Sequence, residues 1–113
     1  FDCQGLEVPT AAPHSHVIGK TSLDDGRWHQ IAGVYDGQAL AVYVDGQLDG
    51  QAEASGLLLL HGVSVVLGQQ NGWFTMTWRG LMRDVRIYNR AMSPQEIAEL
   101  HEATRREEPT QVL

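Results

Sequence analysis

The fold is decided by the stretch Arg27-Trp-His-Gln-Ile-Ala-Gly-Val-Tyr-Asp-Gly-Gln-Ala-Leu-Ala-Val-Tyr-Val-Asp-Gly46. It contains two runs rich in β-branched and aromatic residues, and each run ends in an Asp-Gly pair. Asp-Gly supplies the positive φ that tight hairpin turns need, and residues 38–44 are too few for anything but a strand between two turns. The pattern therefore predicts antiparallel strands and a mostly β fold.

Strand-like patterns continue on both sides of this stretch. Apolar and polar residues alternate, or short apolar runs occur, between clusters of glycine, proline and aspartate. The predicted β segments are residues 1–8, 14–23, 28–35, 39–44, 47–54, 57–60, 63–67 and 73–88, with a polar loop over residues 68–72. Asp49-Gly50 lies inside one of these segments and predicts a bulge or an early end of the strand.

The alternation is clearest in residues 39–44. It predicts that Leu40, Val42 and Val44 share one face of the strand and that Tyr43 points the opposite way. We therefore expect one buried and one solvent-facing side for this strand.

A helix follows the last β segment. Ser93 fits the N-cap position, Pro94 the first helical position and Glu96 the position three residues after the cap, which together make a capping box. Met92 and Ile97 occupy the positions of a hydrophobic staple. The sequence therefore predicts a short, well-defined C-terminal helix that packs on the β structure.

Length and composition limit the class of protein. The 113 residues allow one domain with a core, which we place over residues 1–104, and residues 105–113 read as a charged tail or linker. No segment approaches the roughly 18 apolar residues of a membrane span, so membrane insertion is not expected. The formal charge of −6 leaves no basic stripe for nucleic acid. Cys3 is the single cysteine, which excludes an internal disulfide, and a small buried or partly buried thiol is favoured over a reactive one.

Three segments together resemble the laminin-G-like jelly roll of the concanavalin A-like lectin and glucanase superfamily. They are Leu23 to Gly37, with Asp-Gly-Arg-Trp-His and Tyr-Asp-Gly; Leu40 to Gly46, with Val-Tyr-Val-Asp-Gly; and Gly80 to Ile97, which resembles the family's final strand and closing helix. The resemblance implies an all-β, antiparallel jelly-roll β-sandwich with a short C-terminal helix. It covers most of residues 17–101 but only the second half of the family's domain. We therefore expect either a partial sandwich cut from a larger secreted protein or a shortened version that closes its sandwich differently, for example by pairing with a second copy.

A partial sandwich has consequences for partners and location. Unpaired strand edges and an uncovered apolar face are unfavourable, so we expect self-association, as in a homodimer. The resemblance also implies an extracellular or cell-surface location. Related jelly rolls often bind a structural calcium ion, and Asp84 stands at the acidic position of the last strand that can contribute a ligand. The competing interpretation of Asp84 is a salt bridge to Arg83 or Arg86.

The best candidate for ligand binding is the loop Gln69-Gln-Asn-Gly-Trp-Phe74. Amides that donate and accept hydrogen bonds, next to rings that stack on the apolar face of a sugar, are what a glycan site needs. The candidate ligand-binding residues are Gln69, Gln70, Asn71, Trp73, Phe74 and Trp78. The alternative is a hairpin loop in which Trp73 and Phe74 plug the edge of the sandwich.

Other conspicuous residues have simpler explanations. Trp28 shares a face with Ala32 and Val34, which favours core packing. His29 has no catalytic or metal partner at a suitable spacing, so we interpret it as a histidine on the face of the sheet. His14 and His16 could form a metal pair on one side of a strand, but exposed loop histidines are favoured. The aspartates beside glycines or in turns are expected to bond their own backbone. They are Asp24, Asp25, Asp36, Asp45 and Asp49.

No catalytic pattern accompanies this fold. Glucan-hydrolysing members of the superfamily carry alternating acidic residues along one strand, and the sequence has no such Glu-x-Asp-x-Glu pattern. We therefore predict a non-enzymatic binding module that recognises a glycan or a protein surface. The alternative is a structural or protein-interaction domain without a sugar site, and a remoter one is an enzyme fragment whose catalytic residues lie upstream.

Overall fold

The computed structural model describes Phe1, Cys3 and Leu6 and residues 16–58, 65–70 and 73–105. These residues form five strands and one helix: β1 (Ile31–Tyr35), β2 (Ala39–Val44), β3 (Gln47–Glu53), β4 (Gln69–Gln70), β5 (Trp73–Thr77) and α1 (Pro94–Arg105). They form an antiparallel three-stranded sheet in the order β1-β2-β3 and an antiparallel pair, β4-β5. In the described part of the chain, no helix combines the length and the apolar character of a membrane span.

The chain divides into two compact units, one of residues 1–58 and 90–113 and the other of residues 59–89. The three-stranded sheet is the centre of the first unit. Its β1-β2 and β2-β3 connections lie where the Asp-Gly pairs predict them, and Asp45 has a φ of 51° in the second turn. Val42 pairs with Gly50 and Tyr43 with Leu48, which leaves Asp49 as an extra residue in β3. The predicted bulge at Asp49-Gly50 is therefore confirmed.

Both faces of this sheet are covered. On one face Leu40 and Val42 pack with Leu6, Val17 and other residues in what we call the N-terminal cluster. Its remaining members are Ala54 and the partly buried Cys3, Tyr35 and Ala52.

The opposite face carries the helix cluster. Ala41 and Tyr43 pack there against Ile97 of α1, with Ala32, Val34 and Met92 at the margin. Tyr43 is 8% exposed, so the prediction that this side of β2 faces solvent is wrong. The division of side chains between the two faces is as the alternation predicts. The alternation does not reveal that α1 covers the second face.

The start of α1 follows the predicted capping box. The Glu96 amide donates to Ser93 Oγ at 3.1 Å, and the Ser93 amide donates to Glu96 Oε1 at 3.1 Å. Arg90 adds a bidentate ion pair to the Glu96 carboxylate, with N to O distances of 3.0 and 2.5 Å. This pair and the Ser93 amide lower the pKa of Glu96 to about 2. Met92 packs against the cluster that contains Ile97, as a hydrophobic staple requires.

Two predicted strands in the first unit differ from the structure. The segment predicted over residues 28–35 enters the sheet only at Ile31, because the Gln30 amide donates to the Asp45 side chain at 2.9 Å instead of to a neighbouring strand. Of the segment predicted over residues 14–23, the described part contains one bridge residue, His16, and no strand. The predicted strand over residues 1–8 lies mostly outside the described residues.

The second unit is less regular than predicted. Among the residues described in this unit, the sheet consists of the β4-β5 pair, so Gln69 and Gln70 belong to a strand and not to the predicted loop. The β segment predicted over residues 73–88 ends at Thr77, and residues 81–88 are exposed and outside any strand. Asp84 has a left-handed φ of 55°, which a strand residue does not adopt. Val65, Val66 and Leu67 are 73%, 42% and 57% exposed, so the described part of segment 63–67 is not the interior strand we expected. In segment 57–60, the described Leu57 and Leu58 are also exposed and outside any strand.

Candidate functional site

The described residues of the predicted glycan loop lie in the antiparallel pair β4-β5. Gln69 pairs with Thr77 and Gln70 with Trp73, with an irregular register between the two pairs. The structure describes the backbone of Gln69, Gln70, Trp73 and Phe74, and Asn71 lies outside the described residues. Gln69, Gln70, Trp73 and Phe74 therefore belong to one pair of strands, and ligand binding by the side chains of the motif stays a prediction.

Trp78 lies directly after β5. Its backbone amide donates to the Gly68 carbonyl at 2.6 Å, which closes the base of the hairpin. A Cβ built on Gly80 would lie 3.2 Å from Trp78 Nε1, and one built on Gly68 would lie 3.1 Å from Trp78 Cβ. The tryptophan is thus held against two glycines while 46% of it stays exposed. An exposed, positioned indole is the group that stacks on a sugar or inserts into a protein surface.

Asp84 forms the ion pair that competes with the calcium interpretation. Its carboxylate accepts two hydrogen bonds from Arg86, from Nε at 2.8 Å and from Nη2 at 3.0 Å. This contact lowers the pKa of Asp84. Among the residues that the structure describes, no group of three or more His, Cys, Asp or Glu side chains is arranged to hold a metal ion. His14 lies outside those residues, so the proposed metal pair with His16 is untested, and the calcium ligand at Asp84 stays a prediction.

His29 bridges two aspartates, an arrangement that no sequence pattern predicts. Its Nδ1 lies 2.7 Å from Asp45 Oδ2, and its Nε2 lies 2.9 Å from Asp25 Oδ1. The interpretation of His29 as a sheet-face residue is therefore wrong, because the residue precedes β1 and its ring is engaged on both sides. The spacing of Asp25 and His29, four residues apart across a turn, was an available signal. The contact with Asp45 depends on tertiary structure.

The ionisation of this cluster follows from its hydrogen bonds. Asp45 raises the pKa of the His29 imidazole most, and Asp25 raises it further. The Arg27 amide and then His29 hold the pKa of Asp25 below its usual range. Burial pushes the pKa of Asp45 upward, but hydrogen bonds from His29 and the Gln30 amide outweigh it and leave that pKa lowered.

A groove of about 340 Å³ lies in the first unit, beside the start of α1. Asp36 and Glu96 supply its charge, and Tyr43 and Gln51 supply further polar atoms. The Gln38 and Ala39 amides lower the pKa of Asp36, so both carboxylates are ionised near neutral pH. The apolar lining consists of Val34, Ala39, Ala41, Ala91, Met92 and Pro94, and Ser93 completes the wall. The groove is a small, acidic and partly apolar depression that no sequence motif indicated.

Comparisons with known proteins show to which family the chain belongs. A laminin-G family model, described as concanavalin A-like lectin/glucanases superfamily, matches residues 6–98. The search of curated proteins finds no match. A crystal structure of an S-layer domain-containing protein (residues 221–444) from Clostridium thermocellum ATCC 27405 is similar in fold, with a TM-score of 0.62 and 24% sequence identity. The similarity covers 74% of this chain and 43% of the crystallised one. Since the family model matches most of the chain, the protein belongs to the laminin-G type of the concanavalin A-like lectin/glucanases superfamily.

Proposed function

We propose that the chain is a non-catalytic binding module of a secreted or cell-surface protein, and that it binds a glycan through the β4-β5 hairpin and Trp78. The observation that carries the proposal is the indole of Trp78, which is 46% exposed and held against Gly80 at the base of the hairpin. Superfamily membership and the fold of the S-layer domain-containing protein support a surface-associated binding role.

The test compares two aromatic substitutions in the same unit. Trp78→Ala removes the proposed platform, whereas Tyr88→Ala removes a ring that is also 46% exposed but belongs to a residue ten positions further along the chain. We expect Trp78→Ala to weaken binding to an immobilised polysaccharide panel by about tenfold, the scale of one aromatic stacking contact, and Tyr88→Ala to leave it unchanged. Equal binding by both variants and the parent chain would contradict a site at Trp78.

The second candidate is a protein-interaction domain. It is favoured by exposed aliphatic side chains within the second unit, among which Leu81 and Ile87 are each 74% exposed and Val85 is 57% exposed. Apolar side chains at this density are typical of a surface that another polypeptide covers. Absence of saturable binding across diverse polysaccharides, together with capture of a defined protein partner, would favour this function over the first.

The exposed aliphatic side chains of the second unit also favour self-association. We propose that two copies bury their exposed aliphatic residues against each other, as expected for a partial sandwich. Size-exclusion chromatography with light scattering should then give a mass above the 12.5 kDa of one chain, and Ile87→Lys should reduce it. Gln95→Lys, on the exposed side of α1, is the matched control. A monomer at every concentration would rule out the dimer.

Calcium binding is proposed at Asp84. Calcium needs six to eight oxygen ligands, and the guanidinium of Arg86 now occupies both carboxylate oxygens. Binding therefore requires Arg86 to leave, so Arg86→Ala should strengthen calcium binding and Asp84→Asn should abolish it. Isothermal titration calorimetry with calcium chloride distinguishes these outcomes, and no heat of binding with either the parent chain or Arg86→Ala would refute the site.

A further inference from the structure

The contacts of His29 require more protons than a neutral imidazole holds. Both ring nitrogens face carboxylate oxygens, Nδ1 toward Asp45 at 2.7 Å and Nε2 toward both oxygens of Asp25 at 2.9 and 3.0 Å. An ionised carboxylate only accepts hydrogen bonds, and a neutral imidazole donates only one. Both contacts can be hydrogen bonds together only when His29 is an imidazolium.

The aspartates are not available to supply the missing proton. Asp45 accepts the Gln30 amide at 2.9 Å through Oδ1, and Asp25 accepts the Arg27 amide and Nε, each at 3.0 Å. Hydrogen bonds donated to a carboxylate favour its ionised form. The histidine side chain is 10% exposed, so water replaces a lost contact poorly. The proton shared by this cluster therefore belongs to the histidine.

We propose that His29 is a pH-operated clip that, as an imidazolium, ties residues 22–27 to the β2-β3 turn and, once neutral, releases Asp25. Asp25 is the partner that leaves because Asp45 is held independently by the Gln30 amide and by its turn in the sheet. The side chain of Asp24 is hydrogen-bonded to Ser22, and that of Arg27 is hydrogen-bonded to Asp25. Both of these hydrogen bonds therefore stay within residues 22–27. Loss of the imidazolium thus removes the bridge from Asp25 to the sheet.

Other charges near the clip adjust it. Arg27 pairs with Asp25 at 2.9 Å, and Asp24 is adjacent in the chain. From α1, the charge of His101 acts on Asp45: burial raises the pKa of that carboxyl, and His29, the Gln30 amide and, to a smaller extent, His101 lower it. His101 is close to the turn, since a Cβ built on Gly46 would lie 3.2 Å from His101 Cβ. The signals of the His29 ring must therefore be distinguished from those of His101.

The raised pKa of His29 supports the geometry and sets the direction of the switch. The clip stays closed below the ordinary histidine pKa of about 6.5 and opens as the pH rises through the higher value of the folded protein. The clip therefore opens at a higher pH than that at which an unpaired histidine loses its proton.

The decisive variant is Asp45→Asn in the full 113-residue chain. The asparagine oxygen can keep the Gln30 amide bond, and its NH₂ group can donate to Nδ1 of a neutral His29, which then donates from Nε2 to Asp25. Asparagine also tolerates the left-handed φ of 51° at this position. The variant therefore makes the clip compatible with a neutral ring and should remove its pH dependence.

Nuclear magnetic resonance measures the outcome. In the parent chain we expect the His29 ring signals to titrate with a midpoint above about 6.5, and the Arg27 amide shift to follow the same midpoint. In Asp45→Asn the His29 midpoint should fall and the Arg27 amide should lose that transition. His101→Gln should keep both transitions, which assigns them to His29. Asp25→Asn removes the other carboxylate and should also lower the midpoint. A parent midpoint at or below about 6.5, or identical midpoints in the parent and Asp45→Asn, would overturn the proposal.

Discussion

At the scale of single residues, aspartate side chains connect parts of the chain that are far apart in sequence. Asp36 behaves as predicted, since its Oδ1 accepts the Gln38 and Ala39 amides of its own turn. Asp49 instead accepts the Lys20 amide at 2.6 Å, the Thr21 amide at 2.9 Å and the Thr21 hydroxyl at 2.5 Å. The bulge at Asp49 thus presents a carboxylate to a distant segment, and its classification as a local turn former is wrong.

Gly50, next to the bulge, lies so close to another segment of the chain that a side chain does not fit there. A Cβ built there would lie 2.5 Å from the Ile18 carbonyl oxygen, too close for any side chain without movement of the backbone. We expect Gly50→Ala to lower the free energy of unfolding by about 1–3 kcal/mol, the usual cost of overpacking. Urea denaturation checks this, with Gln51→Ala on the same strand as the control. Equal stability of Gly50→Ala and the parent chain would show that residues 17–20 do not pack there.

Ser93 is the residue whose role the sequence predicts most directly. Its hydroxyl accepts the Glu96 amide, so Ser93→Ala leaves a first-turn donor of α1 without its cap. We expect a loss of about 1 kcal/mol in the free energy of unfolding. Ser55→Ala, at an exposed serine outside the helix, is the control and should be neutral within about 0.5 kcal/mol. Equal effects of the two substitutions would argue against the cap.

At the scale of elements, β2 and α1 hold the first unit together. β2 is the central strand of its sheet and buries side chains on both faces. α1 covers one face through Ile97, which is 1% exposed, and is tied near its end by a 3.1 Å hydrogen bond from Gln30 Nε2 to Thr104 Oγ1. The helix is therefore part of the core and not an appendage to it.

Ile97→Ala tests the contribution of this helix. Removal of a fully buried aliphatic side chain leaves a cavity against Ala41 and Tyr43, and we expect a loss of about 2–5 kcal/mol in unfolding free energy. Leu57→Ala is the matched control, because that leucine is 81% exposed and its truncation should cost less than about 0.5 kcal/mol. A small effect at Ile97, measured by thermal and urea unfolding, would mean that α1 docks weakly.

At the scale of the whole molecule, the charge distribution predicts a stability optimum in mildly acidic solution. Hydrogen bonds lower the folded-state pKa of several carboxyls, including Asp36, Asp45 and Glu96, so their contribution is present above the unfolded pKa of about 4 and is lost as the pH falls through the lower folded values. The pKa of His29 is raised, so its contribution is complete below about 6.5 and is lost as the pH rises through the folded value. Stability should therefore be greatest between about pH 4 and pH 6.5.

Thermal unfolding from about pH 3 to about pH 9 measures this profile. We expect the melting temperature to fall on both sides of the optimum, and the alkaline decline to be smaller in Asp45→Asn. A melting temperature that continues to rise above about pH 8 in the parent chain would contradict the assigned direction for His29.

Much of the fold could be predicted from local signals. The bounds of β2, the turn at Asp45, the bulge at Asp49 and the cap at Ser93 each depend on residues within a few positions of one another. The partnership of His29 with Asp45 could not be predicted in this way, because it joins residues 16 positions apart through the turn of a neighbouring hairpin.

The sequence by itself determined the antiparallel β character, the hairpin turns and the start of the helix, because backbone preferences and capping act over short distances. It also determined the resemblance to laminin-G domains, which depends on three segments of sequence. Only the tertiary structure decided that both faces of β2 are buried, that His29 bridges two carboxylates, and that residues 78–88 form no strand. Those outcomes depend on which surface comes to lie against a residue. An alternating pattern specifies two faces but not what covers each of them.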